Sequence, residues 1–151
     1  MTTIRNASSW FEIPVHDLAR AVAFYETLLG TPLRRENIAG SELGVFGHDE
    51  SGVGGCLMAG GAQANVALPP CLTPGGGNVE DISSGCSAPS PSAQGTLVYL
   101  NAGAALDPVL ARVEAAGGRI TMPKVQLPGD MGCFAHIADT EGNRVGLHAL
   151  S

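Results

Sequence analysis

The stretch FEIPVHDLARAVAFYETLLG, residues 11–30, decides the reading of the fold. Together with Ser9 and Trp10 its first residues form a short apolar run ending at Val15, which predicts a strand. Asp17 follows as a helix N-cap, because its carboxylate can accept from the free backbone N–H groups of a first turn. Leu18, Ala21, Val22, Tyr25, Leu28 and Leu29 recur at helical spacing on one face, and Gly30 supplies the left-handed stop. The segment therefore reads as strand, capped helix, stop.

The same unit recurs downstream. Gly95 to Asn101 reads as a second strand, and Leu106, Val109, Leu110, Val113 and Ala116 line a helix ending at Gly117 and Gly118. The second halves correspond as well. Asp49 to Gly52 precedes the apolar run from Val53 to Met58, and Asp139 to Gly142 precedes the run from Val145 to Leu150. Each D-x-x-G reads as a hairpin turn, since Asp bonds its own backbone and Gly tolerates positive φ. The repeat predicts one domain over 1–151 made of two modules, 8–59 and 95–151, each needing the other to bury a sheet face. Between them, 60–94 is rich in Gly, Ser, Pro and Ala and reads as an inserted loop; its Gly75 to Gly77 lacks the Lys-Ser/Thr of a phosphate loop.

Composition narrows the function. Of 151 residues 44% are hydrophobic and 15% charged, enough for a core without staples. Eight basic against fourteen acidic residues give a net charge of −6, with no Lys/Arg cluster, which argues against nucleic acid or an anionic membrane as partner. No apolar run is long enough to span a bilayer and the first nine residues carry no signal-like core, so a cytoplasmic location is expected. Cys56, Cys71, Cys86 and Cys133 lack C-x-x-C spacing and read as small hydrophobes. Cys71 and Cys86 share one loop, but a bond between them needs an oxidising setting that nothing else suggests.

The motif at 11–30, with DTEGNRVGLH at 139–148, resembles the vicinal oxygen chelate superfamily of glyoxalases, bleomycin-resistance proteins and dioxygenases. The resemblance covers the chain outside 60–94. It implies an α+β fold of two βαβββ modules forming a cupped mixed sheet, commonly paired as a homodimer. It also implies a ligand position seven residues before the helix-opening Asp and another seven after each turn Asp. Those positions point to Trp10, Cys56, Thr96 and Gly146, which lack the His/Glu/Gln set that metal members of the family use. By that route no metal cofactor is expected.

Strand alternation adds further cup-facing positions, Glu12, Met58, Val98 and His148. If Asp139 and Asn143 close their hairpin, residues whose numbers sum to 282 stand opposite one another, so His136 faces Gly146 and Phe134 faces His148. Glu12, His136 and His148 are then expected to converge on a cavity floored by Trp10, Phe46 and Phe134. Three functions follow from such a site. Glu12 and His148 can handle a proton, with His136 as polarising donor, in metal-independent lyase or isomerase chemistry on a small, partly apolar molecule. The same three residues can hold a divalent metal at a displaced site. Or the pocket, including Cys56, Met58, Thr96, Val98 and Gly146, binds a ligand unchanged, as antibiotic-sequestering members of the family do. His16 and His48 are expected in exposed loops, Cys133 in the core, and Met58 and Met131 as core or cavity lining.

Overall fold

The structure, a computed structural model, describes residues 6–38, 40–50, 52–59 and 89–151. Most of the expected 60–94 insertion, with Cys71, Cys86 and Gly75 to Gly77, lies outside the described residues. The elements run β1 (Trp10–Val15), α1 (Leu18–Leu29), β2 (Arg34–Ile38), β3 (Ser41–Val45), β4 (Gly54–Ala59), β5 (Tyr99–Asn101), α2 (Asp107–Val113), β6 (Arg119–Gln126), β7 (Cys133–Ala138) and β8 (Arg144–Ala149). Among these residues the strands form two four-stranded mixed sheets, ordered β1-β4-β3-β2 and β5-β8-β7-β6, so each half is one βαβββ module. In each, the first strand pairs in parallel with the last, and the helix is the crossover that such pairing requires.

Helix α1 begins and ends as its sequence predicts. The Asp17 carboxylate accepts from Arg20 N at 2.9 Å, and Gly30 takes φ 70° while its N–H reaches Glu26 O. The periodicity missed Phe24, which is 1% exposed. It is buried because Gly118 of the other module leaves space; a Cβ at 118 would come within 2.7 Å of the Phe24 ring. Phe24 thus belongs to the contact between modules and not to the face α1 turns to its own sheet. The shared core draws Ile13, Val15 and Leu57 from the first sheet, Leu100, Ile137 and Leu147 from the second, and both helices. Cys133 is buried in it, as expected. A smaller cluster, Leu43, Val45, Cys56 and Met58, packs on the opposite face of the first sheet.

The turn at 139–143 joins the modules. Asp139 N–H donates to Asn143 O at 3.0 Å, which closes the hairpin and sets His136 opposite Gly146 and Phe134 opposite His148, the register its sequence predicts. The Asp139 carboxylate, 7% exposed, accepts from the Tyr25 hydroxyl at 2.7 Å and from the amides of Glu141 and Asn143. The buried Glu141 reaches the first turn of α1: it accepts from His16 N at 2.9 Å, Asp17 N at 3.0 Å and Arg20 Nε at 2.7 Å. Burial alone would raise the Glu141 pKa. The hydrogen bonds from Arg20, the two backbone amides and Thr140 outweigh that and lower it from 4.5 to about 2.

Candidate functional site

Strand β5 is shorter than its sequence suggests, and its register shifts the expected cup-facing positions. Across the two parallel pairs, Glu12 stands beside Cys56 and Tyr99 beside Gly146, so Tyr99 is the counterpart of Glu12 and Leu97 that of Trp10. Thr96 and Val98, predicted to face the cup with Gly146, precede the strand; Val98 packs against the shared core. The alternation count started one residue off, because nothing in the run from Thr96 to Leu100 marks which residues face the helices. With Leu97 replacing Thr96, the positions that would hold a metal are Trp10, Leu97, Cys56 and Gly146. These offer one thiol and no carboxylate or imidazole, and so do not fit a metal.

The three ionisable residues expected to converge occupy different surroundings. Glu12 shares a crevice of about 40 Å³ with Thr96, Val98 and Arg144. His136 and His148 do project from the same face of the second sheet, as the register requires. His136 Nε2, however, lies 2.7 Å from the Tyr99 hydroxyl, while His148 Nε2–H donates to the Met131 carbonyl at 2.7 Å. Among the described residues no three His, Cys, Asp or Glu side chains stand close enough to share a metal ion, so the displaced metal site expected of Glu12, His136 and His148 is not formed. The physical reason is their placement: Glu12 projects from the other sheet, and each imidazole is engaged by its own neighbour.

The remaining predicted residues divide by exposure. Cys56 and Met58 are buried in the small cluster of the first sheet. Burial, and then the Glu12 charge, push the Cys56 thiol up to about 11, partly offset by a hydrogen bond from Trp10. Met131 is 56% exposed, in the loop between β6 and β7, and not in the core. His16 and His48 are exposed, as expected. Phe134 stands beside His136, with ring centroids 5.5 Å apart. Trp10 and Phe46 do border a hollow, but a different one from the cavity predicted.

That hollow is a groove of about 790 Å³ between the modules. Trp10 and Phe11 of β1, the segment from Thr31 to Leu33 after α1, Phe46, and the run from Thr96 to Gly103 enclose it. Its polar side chains are the neutral Ser8, Thr31, Thr96 and Asn101, and the Tyr99 phenol is the one ionisable group among the described residues that line it. Sequence reasoning missed Tyr99. Its phenol touches His136, and Tyr99 lines both this groove and a second hollow of about 530 Å³ bordered also by Asn101, His148 and Leu150. The signal was Gly146: a glycine in a last strand leaves room for a large side chain on its parallel neighbour. The Tyr99 ring fills that room, since a Cβ at 146 would come within 2.4 Å of it. His136 titrates below its usual value of 6.5, first because it is partly buried and then because Arg144 repels its charged form, so the imidazole beside Tyr99 is neutral at neutral pH.

Two βαβββ modules with a groove between them define a fold rather than a reaction. Residues 8–147 match the Glyoxalase/Bleomycin resistance protein/Dioxygenase superfamily, and the chain belongs to it. Among solved structures, the fold is similar to a glyoxalase-related enzyme from Fulvimarina pelagi, with 15% identity, a TM-score of 0.57 and coverage of 97% of this chain and 88% of that one. It is similar to a glyoxylase/bleomycin resistance protein/dioxygenase domain from Frankia sp. EAN1pec at 17% identity and TM-score 0.57, covering 97% and 93% of the two chains. It also resembles TnmS3, an antibiotic binding protein from Streptomyces sp. CB03234, at 20% identity and TM-score 0.54, covering 99% and 100%. Comparison with curated proteins gives no significant match. No helix among the described residues is long and apolar enough to cross a membrane.

Proposed function

We propose that the protein binds a small, uncharged, largely apolar organic molecule in the groove between its modules and releases it unchanged. The observation that carries this reading is the lining: a hollow of about 790 Å³, within the range of ligand sites, whose described walls hold no carboxylate, imidazole, ammonium or guanidinium. Proton transfer needs a group that titrates near the operating pH within reach of substrate. Glu12, His136 and His148 do not border this groove. An ionic ligand is disfavoured too, because losing its hydration without a counter-charge costs several kcal/mol, more than the ~0.5–1.5 kcal/mol of an aromatic contact. The fold is also that of an antibiotic binding protein, TnmS3, so ligand capture is within its repertoire.

One contact favours the lyase or isomerase reading as second choice. Tyr99 lines the groove and its hydroxyl is hydrogen-bonded to a neutral His136, a pair able to pass a proton to a molecule that reaches it. The chain's single tryptophan lines the groove, so its fluorescence reports binding there. A library of neutral bicyclic and tricyclic compounds is titrated against that signal, and each hit is incubated overnight with protein and analysed by mass spectrometry. Hits recovered intact support binding; a hit converted by the wild type but not by Tyr99→Phe establishes the proton-transfer reading instead. If no compound alters Trp10 emission, the groove is not the site.

A further inference from the structure

The groove carries an inference about ligand class that rests on the binding reading above. Trp10 and Tyr99 come from first strands of different modules, line the same groove, and are 41% and 47% exposed. Two partly exposed aromatic residues lining one groove leave apolar area for a ligand to cover.

Neither ring is loosely held. Tyr99 lies against β8, with three ring atoms within 2.7 Å of where a Cβ of Gly146 would stand, so the missing side chain is what lets the ring rest on the sheet. Its hydroxyl is fixed at 2.7 Å from His136 Nε2, and Phe134 meets it edge-on at 6.0 Å. Trp10 is placed in the same manner. Its ring lies over Gly54, a Cβ of which would be 2.7 Å away, and it meets the His48 ring edge-on at 6.4 Å. Rings fixed in advance lose little freedom when a ligand settles on them.

We propose that Trp10 and Tyr99 are stacking surfaces that select a planar, uncharged aromatic ligand over a saturated one of equal size. Any apolar molecule gains from leaving water, but only a flat π-system also gains from the ring quadrupoles.

The test is calorimetric titration at pH 7 with three probes on one carbon skeleton: 2-naphthol, decahydro-2-naphthol and naphthalene-2-sulfonate. The wild type is expected to bind 2-naphthol about tenfold tighter than the saturated alcohol, the gain of two aromatic contacts. The sulfonate is expected to bind at least tenfold more weakly than 2-naphthol. Tyr99→Leu and Trp10→Leu keep apolar bulk without a π-face, so each should shrink the preference to about threefold, with 2-naphthol losing more affinity than decahydro-2-naphthol. Tyr99→Phe should keep the preference whole. Equal affinity of the wild type for the two alcohols, no binding of 2-naphthol, or a preference that survives in Tyr99→Leu overturns the assignment of ligand class. Equal or tighter sulfonate binding overturns its uncharged part. The wider groove reading fails separately, when decahydro-2-naphthol and the compound library also leave Trp10 emission unchanged.

Discussion

Replacing Glu141 by glutamine removes a charge that sits on module two but is used by module one. The carboxylate accepts from two backbone amides at the start of α1 and from Arg20 Nε at 2.7 Å and Nη2 at 3.0 Å, and its side chain is 0% exposed while that of Arg20 is 52% exposed. These bonds lower its pKa from 4.5 to about 2. At about 1.4 kcal/mol per tenfold change in proton affinity, that corresponds to about 3 kcal/mol of folding stability. Because the folded pKa lies below the unfolded one, the stabilisation is fully present above pH 4.5 and fades as pH falls towards 2. Glutamine keeps an acceptor for one or two of the bonds, so Glu141→Gln should cost about 2–3 kcal/mol at pH 7. Urea unfolding of both proteins between pH 7 and pH 3 measures this. A difference below about 0.5 kcal/mol at pH 7, or one that does not narrow between pH 4.5 and pH 3, refutes the reasoning.

Other outcomes follow from single contacts. Tyr25→Phe leaves the buried Asp139 carboxylate without its hydroxyl donor at 2.7 Å and should cost about 1–3 kcal/mol in urea unfolding, with the groove still able to bind. Gly146→Ala drives a methyl into the Tyr99 ring; the ring must lift, at about 1–3 kcal/mol, and the His136 imidazole signals should shift in NMR spectra as the phenol leaves. An NMR titration of the wild type should find His136 titrating below 6.5, a value that rises when Arg144 is replaced by Gln. Cys56, fully buried with its thiol pushed up to about 11, should stay unalkylated by iodoacetamide at pH 8 in peptide mapping until urea unfolds the chain.

Elements with strong local chemistry were legible in the sequence. The Asp17 cap, the Gly30 stop and the Asp139 turn each act within a few residues, so their spacing sufficed to place α1 and to fix the β7–β8 register residue by residue. Strand β5 was not legible to the same degree. An apolar run that can be buried on either face gives no parity signal, and the one-residue slip put Thr96 and Val98 where Leu97 and Tyr99 belong. The convergence of Glu12 with the histidines failed for a related reason. Parity tells which face a side chain leaves from, and His136 and His148 do share one, but it says nothing about where the second sheet lies relative to the first. Nor does it reveal that Tyr99 and the Met131 carbonyl engage the two imidazoles. The Glu141 bridge to α1 was invisible for the same cause: its partners lie more than 120 residues away in sequence.

On the proposed function, a ligand sits in the groove between the modules. Mapping chemical-shift changes on isotope-labelled protein titrated with a library hit tests it most directly. Shifts concentrated at Trp10, Phe46 and the run from Thr96 to Asn101, with Glu12 and His148 unmoved, are the predicted result. Shifts concentrated at Glu12, His148 and Met131, with Trp10 and Thr96 unmoved, contradict it.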